Sequence, residues 1–588
     1  MKSYLTLVLA TSVALFASCS DDSDDLGSGG GSHAGGSHAG SRATEAGNGG
    51  AEAGGGGTSA GSGGAEAGSA GAEAGSGGAE AGSSASAGSA GAEAGSGGAE
   101  AGSGGAEGSL PPVVAVSDMT SVSADNYAWN RFGLIEADTL EAYATNWDSA
   151  DSAAANAAPN GRPQYLDDDA RLIVLQLNPA NRAAGENFVP SDPGNNVYTY
   201  EIDAFRFNET RDTGLISNSV RYQASGPTTD EWLARYGVDL SRDFLVFAVG
   251  ENTATPPSGA FFQDLARAVY WLSYWGADLE HLAIVNGSLQ KNYAGPLVSN
   301  KVTANQVSNG GFSVKSLRVD HTGLTLALED FLKVVDSELE AEDVIPGFDE
   351  QLIIDARPTA QWNRTTNTAA FFSTVPGQFI TTAWSSSGAP SEDATGQGKN
   401  YVLYEGHVKG STSFPWASLL EDADAGDDFN FKYKNKAALE DIFEAAGYAP
   451  GERTSKVIVS QCRTNFEVQV NGFAARVILG YPTVHFDGSL VEYFSLVSGH
   501  PDSDFNLEEG DAAYQYRTDI PTRSQHYAPS TQEDAPPTLT EDDEDGVPAY
   551  NVPTGTSATD RKVDQAIIDK DATTTRKALN QDREYKRQ

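Results

Sequence analysis

Cysteine is nearly absent from this chain of 588 residues, which holds only Cys19 and Cys462. Two thiols so placed exclude a disulfide framework and a thiolate-based zinc site. Histidine is also scarce, with 8 residues scattered without ligand spacing, so no metal or cofactor is called for. Basic residues are outnumbered, 38 Lys and Arg against 81 Asp and Glu, a formal charge of −43. That balance excludes nucleic acid, and an anionic membrane surface, as electrostatic partners. No glycine-rich phosphate loop or serine-hydrolase elbow occurs. The apolar run near the start, residues 4–16, is too short to span a bilayer.

What is present begins with that run. It follows Lys2 and leads into Ala17-Ser18-Cys19, the layout of a signal peptide. The small pair before Cys19 resembles a bacterial lipobox. The resemblance implies residues 1–19 as a lipoprotein signal, with cleavage before Cys19 and acylation of its thiol, and so a bacterial cell envelope location with a lipid anchor in the membrane. The simpler alternative is ordinary secretion with cleavage nearby. Ser20 at the second mature position gives no aspartate-type retention signal and favours the outer membrane. Residues 20–110 are almost wholly Gly, Ala, Ser and Glu in repeated phrases. Such side chains cannot repay the entropy of ordering, so a disordered linker is expected. A coil of about 90 residues spans roughly 50 Å.

From Pro111 onward the chain is long enough for two domains and a tail. Two segments alternate strand and helix patterns, as in parallel-sheet α/β domains. In the second, Leu352-Ile353-Ile354-Asp355 and Val457-Ile458-Val459-Ser460 read as buried strands. A helix is predicted over about 467–479, from Val470, Phe473, Ala474, Val477 and Ile478 at helical spacing. Val484-His485-Phe486 begins the next strand. In the first, strands at Leu172–Leu175 and Phe244–Ala248, a helix over about 262–275, and a strand at Leu282–Val285 repeat the plan. Asn286-Gly287-Ser288-Leu289 echoes Asp487-Gly488-Ser489-Leu490, and Gly214–Ser219 echoes Gly406–Ser411. A duplication is expected. Beyond about residue 504 the chain is less regular, with the acidic run 541–545 reading as a solvated stretch.

Cys462 lies where a strand ends and a helix begins. There the loop N–H groups and the positive end of the helix dipole converge, which favours a thiolate or an anionic persulfide. Arg463 adds a positive charge suited to steering an anionic sulfur donor. On count alone a lone cysteine is more often inert and buried; its position argues for chemistry instead.

The segment from Leu352 to about Phe494 resembles a rhodanese domain. The resemblance rests on Asp355-Ala356-Arg357, on Gly406-His407-Val408-Lys409-Gly410-Ser411 with Pro415-Trp416, on the strand into Cys462, and on Asp487-Gly488-Ser489. The stretch 172–289 resembles a degenerate copy, running into Val249-Gly250-Glu251 where the thiol would stand. The whole is similar to tandem sulfurtransferases. This implies an α/β fold of two rhodanese-like domains, each an open parallel sheet with helices on both faces. The expected layout is an inactive domain over 111–335, the cysteine domain over 336–510 and a polar tail over 511–588. It also implies a sulfane sulfur moved from thiosulfate or a similar small anionic donor to a thiophilic acceptor, with Cys462 as nucleophile. Arg463, Thr464, Asn465, Phe466 and Glu467 form the substrate cradle in this reading.

The chain departs from that pattern at Asn465, where glycine is usual but a left-handed backbone remains accessible. It departs again at Glu467, whose carboxylate raises a neighbouring thiol pKa, and in an insertion spanning 363–405. Asp355 and Arg357 read as a buried pair fixing the sheet end, and His407 as a structural or rim residue. Val468, six residues after Cys462, leaves a phosphate without its guanidinium and excludes the related phosphatases. The alternative is a non-catalytic binding lipoprotein that uses Glu467 and the insertion to engage an envelope redox or electron-transfer partner.

Overall fold

The computed structural model describes residues 111–177, 188–202, 208–250, 260–295, 304–336, 344–359, 406–421, 430–500, 503–526 and 567–588, with a few isolated positions between them. The lipobox, the linker, most of the 363–405 insertion and the acidic run lie outside the described residues.

Buried strands need apolar side chains on both faces, and the sequence supplies them as near-continuous runs. Strand β1 (Gly133–Ile135), β2 (Leu172–Leu177), β3 (Val197–Ile202), β6 (Phe244–Val249) and β7 (Leu282–Ser288) form one five-stranded sheet in the order β1-β7-β6-β2-β3. Strand β8 (Thr325–Leu326), β9 (Glu350–Asp355), β11 (Thr412–Ser413), β12 (Lys456–Gln461) and β13 (Thr483–Phe486) form a second in the order β11-β9-β12-β13-β8. All pairings in both sheets are parallel. Read by rank along the chain, the two orders are the same: first, fifth, fourth, second, third. The duplication expected from the sequence is therefore present as topology. Two antiparallel ribbons accompany the sheets, β4 (Asn208–Arg211) with β5 (Ser219–Gln223), and β10 (Gly406–Val408) with β14 (Ser524–His526).

The register also separates the two echoes. Strand β3 precedes Gly214, whereas its counterpart β11 follows Gly406, so that pair of segments is not equivalent. The Asn286 and Asp487 turns are equivalent, each closing the fifth strand of its sheet. The second sheet also begins earlier than residue 336, because β8 pairs with β13 through His485 and Thr325.

The inner faces share one core. Leu245, Phe247 and Val249 of the first sheet and Ile354, Ile458 and Cys462 of the second pack into the same cluster. Between them lie the helix Ala260–Tyr274 and the helix Glu467–Phe473, packed on one another, the latter continuing as a π-turn over Ala474–Ile478. The outer faces carry separate cores, one with Val246 and Val285 and one with Val459 and Val484.

The final residues are not a loose polar tail. The helix Lys577–Arg587 docks on the first half: Asp582 pairs with Arg211 at 2.8 Å and accepts from the Tyr274 hydroxyl. Lys586 Nζ donates to the carbonyls of Trp275, Val314 and Leu317, and burial pulls its pKa down to about 8.

Candidate functional site

At the end of the second sheet, Gln461 of β12 lies beside Asp355 of β9. Asp355 and Arg357 form the expected buried pair: Arg357 donates from Nε and Nη2 to the carboxylate and from Nη2 to the Gly406 carbonyl at 2.9 Å. His407 is structural as well. Its ring stacks on Trp362 with centroids 4.0 Å apart, its two nitrogens contact the Trp362 carbonyl and Gln525, and burial lowers its pKa. These groups fix the strand ends from which the cysteine loop leaves.

The loop runs from Cys462 to Phe466 and feeds the helix Glu467–Phe473. Its carbonyls are held from below: Leu490 N–H donates to Cys462 O at 3.0 Å and Val491 N–H to Arg463 O at 3.1 Å. Asn465 takes the left-handed conformation, φ 60°, which asparagine tolerates best after glycine. Its amide donates to Asp487 and its Oδ1 accepts from Gln469 at 2.8 Å. The backbone N–H groups of Thr464 and Val468 lie near the Cys462 sulfur and pull its pKa down.

Burial works against the thiolate expected at this position. Cys462 is 0% exposed. Burial, reinforced by the Glu467 carboxylate, pushes its thiol up to about 12 against the pull of the two N–H donors. Desolvation of the charged form outweighs two backbone dipoles. In this arrangement Cys462 is a neutral thiol at ordinary pH. Of the residues named as its cradle, Asn465, Phe466 and Glu467 are buried, while Arg463 and Thr464 are half-buried at the rim.

What lies against this loop was missed in the sequence. Arg267, buried in the first-half helix Ala260–Tyr274, donates to the Asn465 carbonyl at 2.8 Å and to Asp487 Oδ1 at 3.3 Å. Its guanidinium sits 4.7 Å from the Phe466 ring centroid. The available signal was a cation between Ala266 and Ala268, in a helix with Asp264 as its one other charged residue. Asp487 also accepts from the backbone N–H of Gln223, in β5 of the first half, at 2.7 Å. Beside it Glu492 is fully buried, accepts from Ser219, and is raised to about 8 by burial. His485, edge-on to Tyr270 at 4.6 Å, is driven well below its ordinary pKa by burial. Among the described residues no cluster of three or more His, Cys, Asp or Glu is placed to hold a metal ion.

No family model and no curated protein matches the chain. Its fold is similar to solved structures of EanB. The wild-type structure gives a TM-score of 0.40 at 13% identity over 63% of this chain and 69% of that one. The anaerobic ergothioneine biosynthesis enzyme from Chlorobium limicola, in complex with its natural substrate trimethyl histidine, gives 0.38 at 14% identity over 61% and 68%. A variant of EanB in which ergothioneine is covalently linked with a persulfide gives 0.38 at 14% over 61% and 67%.

The tandem rhodanese assignment is corrected here, because no model of that family matches the chain. The motifs that suggested it have local causes in this fold. Asp355 and Arg357 close a strand end onto Gly406, His407 packs on Trp362, and Asp487 binds Asn465 and Gln223. What stands is an α/β protein of two parallel five-stranded sheets.

Proposed function

We propose that Cys462 carries a sulfane sulfur as a persulfide, and that the protein is a sulfurtransferase. The observation that carries this reading is the place of Cys462, directly after β12 and at the head of a loop in which Asn465 adopts a left-handed backbone before the helix Glu467–Phe473, where the Thr464 and Val468 N–H groups favour negative charge on the sulfur. Such donors neutralise an anionic sulfur, and strained loop residues concentrate at functional sites. With thiosulfate as donor, the Cys462 thiol loses its proton to water when the site admits the donor, and the resulting thiolate attacks the outer sulfur. A new S–S bond forms, the S–S bond of thiosulfate breaks, and sulfite leaves with the electron pair. A thiophilic acceptor such as cyanide then attacks the terminal sulfur, giving thiocyanate and restoring the thiolate. Arg463, at the rim, is the residue that meets the anionic donor. In this reading Cys19 is the lipid anchor that holds the chain at the bacterial envelope; among the described residues no helix is long and apolar enough to cross a membrane.

The burial of Cys462 and its thiol at about 12 favour a second reading. In it the chain is a non-catalytic binding protein of an envelope redox or electron-transfer assembly, and Cys462 is a packing residue.

The experiment is cyanide-dependent thiocyanate formation from thiosulfate by the full chain, beside Cys462→Ala. Turnover in the wild type and none in the variant is the expected result. A folded wild type that neither turns over nor shows a mass increase of one sulfur on Cys462 after incubation with thiosulfate sinks the sulfurtransferase reading in favour of the binding protein.

A further inference from the structure

Cys462 lies in a core that both halves share, so nothing can react with it until some element withdraws. On its own side the loop is tied into the second half: Leu490 and Val491 hold the carbonyls of Cys462 and Arg463, and the helix after Phe466 is continuous with the loop. The opposite side is covered by the helix Ala260–Tyr274. That helix gives Phe262, Leu265, Val269 and Leu272 to the shared core, and Phe262 packs on Phe431 of the second half with ring centroids 5.6 Å apart. It also carries Arg267, wholly buried, which reaches the Asn465 carbonyl, the Phe466 ring and Asp487, on or beside the cysteine loop. A buried guanidinium is costly unless its geometry is good and its donors are matched. Such a group defines one arrangement of the two surfaces and penalises others.

A second observation falls at the same seam. Gln223 gives its backbone N–H to Asp487, but its side-chain amide, 1% exposed, has neither nitrogen nor oxygen hydrogen-bonded. Buried amides are ordinarily satisfied. An orphan at this position lowers the cost of parting the halves here, because its hydrogen bonds are regained on opening. At the equivalent seam, Asn286 accepts from the Tyr433 N–H at 2.9 Å and donates to Glu136 at 2.7 Å.

We propose that Arg267 is the positioning residue of the Cys462 loop and the latch of its cover, so that a sulfur donor reaches Cys462 when the first-half helix withdraws Arg267 from Asn465 and Phe466. The half without a cysteine is then a gate for the half that has one. This inference rests on the persulfide reading for its purpose, but its mechanics are tested separately.

The test is the rate of Cys462 alkylation by iodoacetamide in the full folded chain, read by peptide mass spectrometry at Cys462 so that Cys19 does not contribute. In the wild type, alkylation should be slow and should accelerate with urea much less steeply than global unfolding followed by circular dichroism, the signature of a partial opening. In Arg267→Gln combined with Asp487→Asn, neither charge is left buried alone. Alkylation should rise about tenfold, as expected for losing charge-assisted contacts from the closed state. A folded double variant with an unchanged rate overturns the latch. So does a wild type whose Cys462 reacts only along the global unfolding curve, which decides the matter even if the variant does not fold. Loss of thiocyanate formation with normal gating removes the persulfide reading alone; normal turnover with no gating removes the latch alone.

Discussion

The two halves of this protein use the same strand order and place different side chains at the end of their fourth strand. In the first half β6 ends at Val249, and the Gly250 carbonyl accepts from the Gln290 N–H at 2.9 Å. In the second, β12 ends at Gln461, and the Cys462 carbonyl accepts from the Leu490 N–H at 3.0 Å. The backbone solution is shared and the side chain is not. What the cysteine-free half contributes instead is Arg267, directed across the seam to the other loop. A duplicated sheet thus supplies two different things to one place, a sulfur from one copy and its cover from the other. The halves also differ in how their buried arginines are matched: Arg357 finds Asp355 two residues away, while Arg211 relies on Asp582 from the C-terminal helix.

That last difference gives the largest expected effect. Asp582→Ala removes the carboxylate that neutralises Arg211 and accepts from the Tyr274 hydroxyl, leaving Arg211 the Ala578 carbonyl, and should cost about 3–5 kcal/mol, measured from the urea midpoint. Because the inner faces form one core, the loss should appear as a single shifted transition; a biphasic melt would show that the halves fold independently and break the picture of a shared core.

Next in size is a pH effect confined to the second half. Glu492 has its pKa raised from 4.5 to about 8 by burial. The folded state therefore holds a proton that the unfolded state has released between those values. By linkage, stability falls as pH rises from 4.5 to 8 and the penalty is complete above 8. Glu492→Gln, which keeps a neutral hydrogen-bonding group facing Ser219, should flatten that fall, worth on the order of a few kcal/mol, as read from urea midpoints across the range. A pH dependence identical to wild type would place the titration elsewhere.

The smallest expected effect is on activity. Gly250→Cys in the Cys462→Ala background should recover no thiocyanate formation, because Asn465 and its contacts with Asp487 and Gln469 belong to the second loop alone. Recovery of turnover would mean that the strand-end position suffices and that the two halves are chemically interchangeable.

Much of this was legible in the sequence where the signal is local. Runs such as Phe244-Leu245-Val246-Phe247 and Val457-Ile458-Val459 announced strands because both faces are buried. The tolerance of asparagine for a left-handed backbone was anticipated at Asn465, as was the pairing of Asp355 with Arg357 two positions on. The Gly214 and Gly406 likeness misled, because short runs of small and polar residues recur at turns whatever their place in the topology. The four motifs that suggested a rhodanese misled in a similar way: each answers a demand made at a parallel strand end, and such demands are not peculiar to one family. The docking of residues 577–588 was not legible either, since Asp582 and Lys586 look like an ordinary polar helix until their partners arrive from the first half.

The sequence by itself determined the class of fold, the doubling, the single thiol of the globular part and its place between strand and helix, because these follow from apolar periodicity and from which residues exist. The tertiary structure alone decided the state of that thiol. Its proton affinity depends on how much water remains around the sulfur and on Glu467, and its accessibility on a helix some 200 positions earlier that brings Arg267 against the loop. Desolvation and Coulomb interaction act through space, and no spacing along the chain records them.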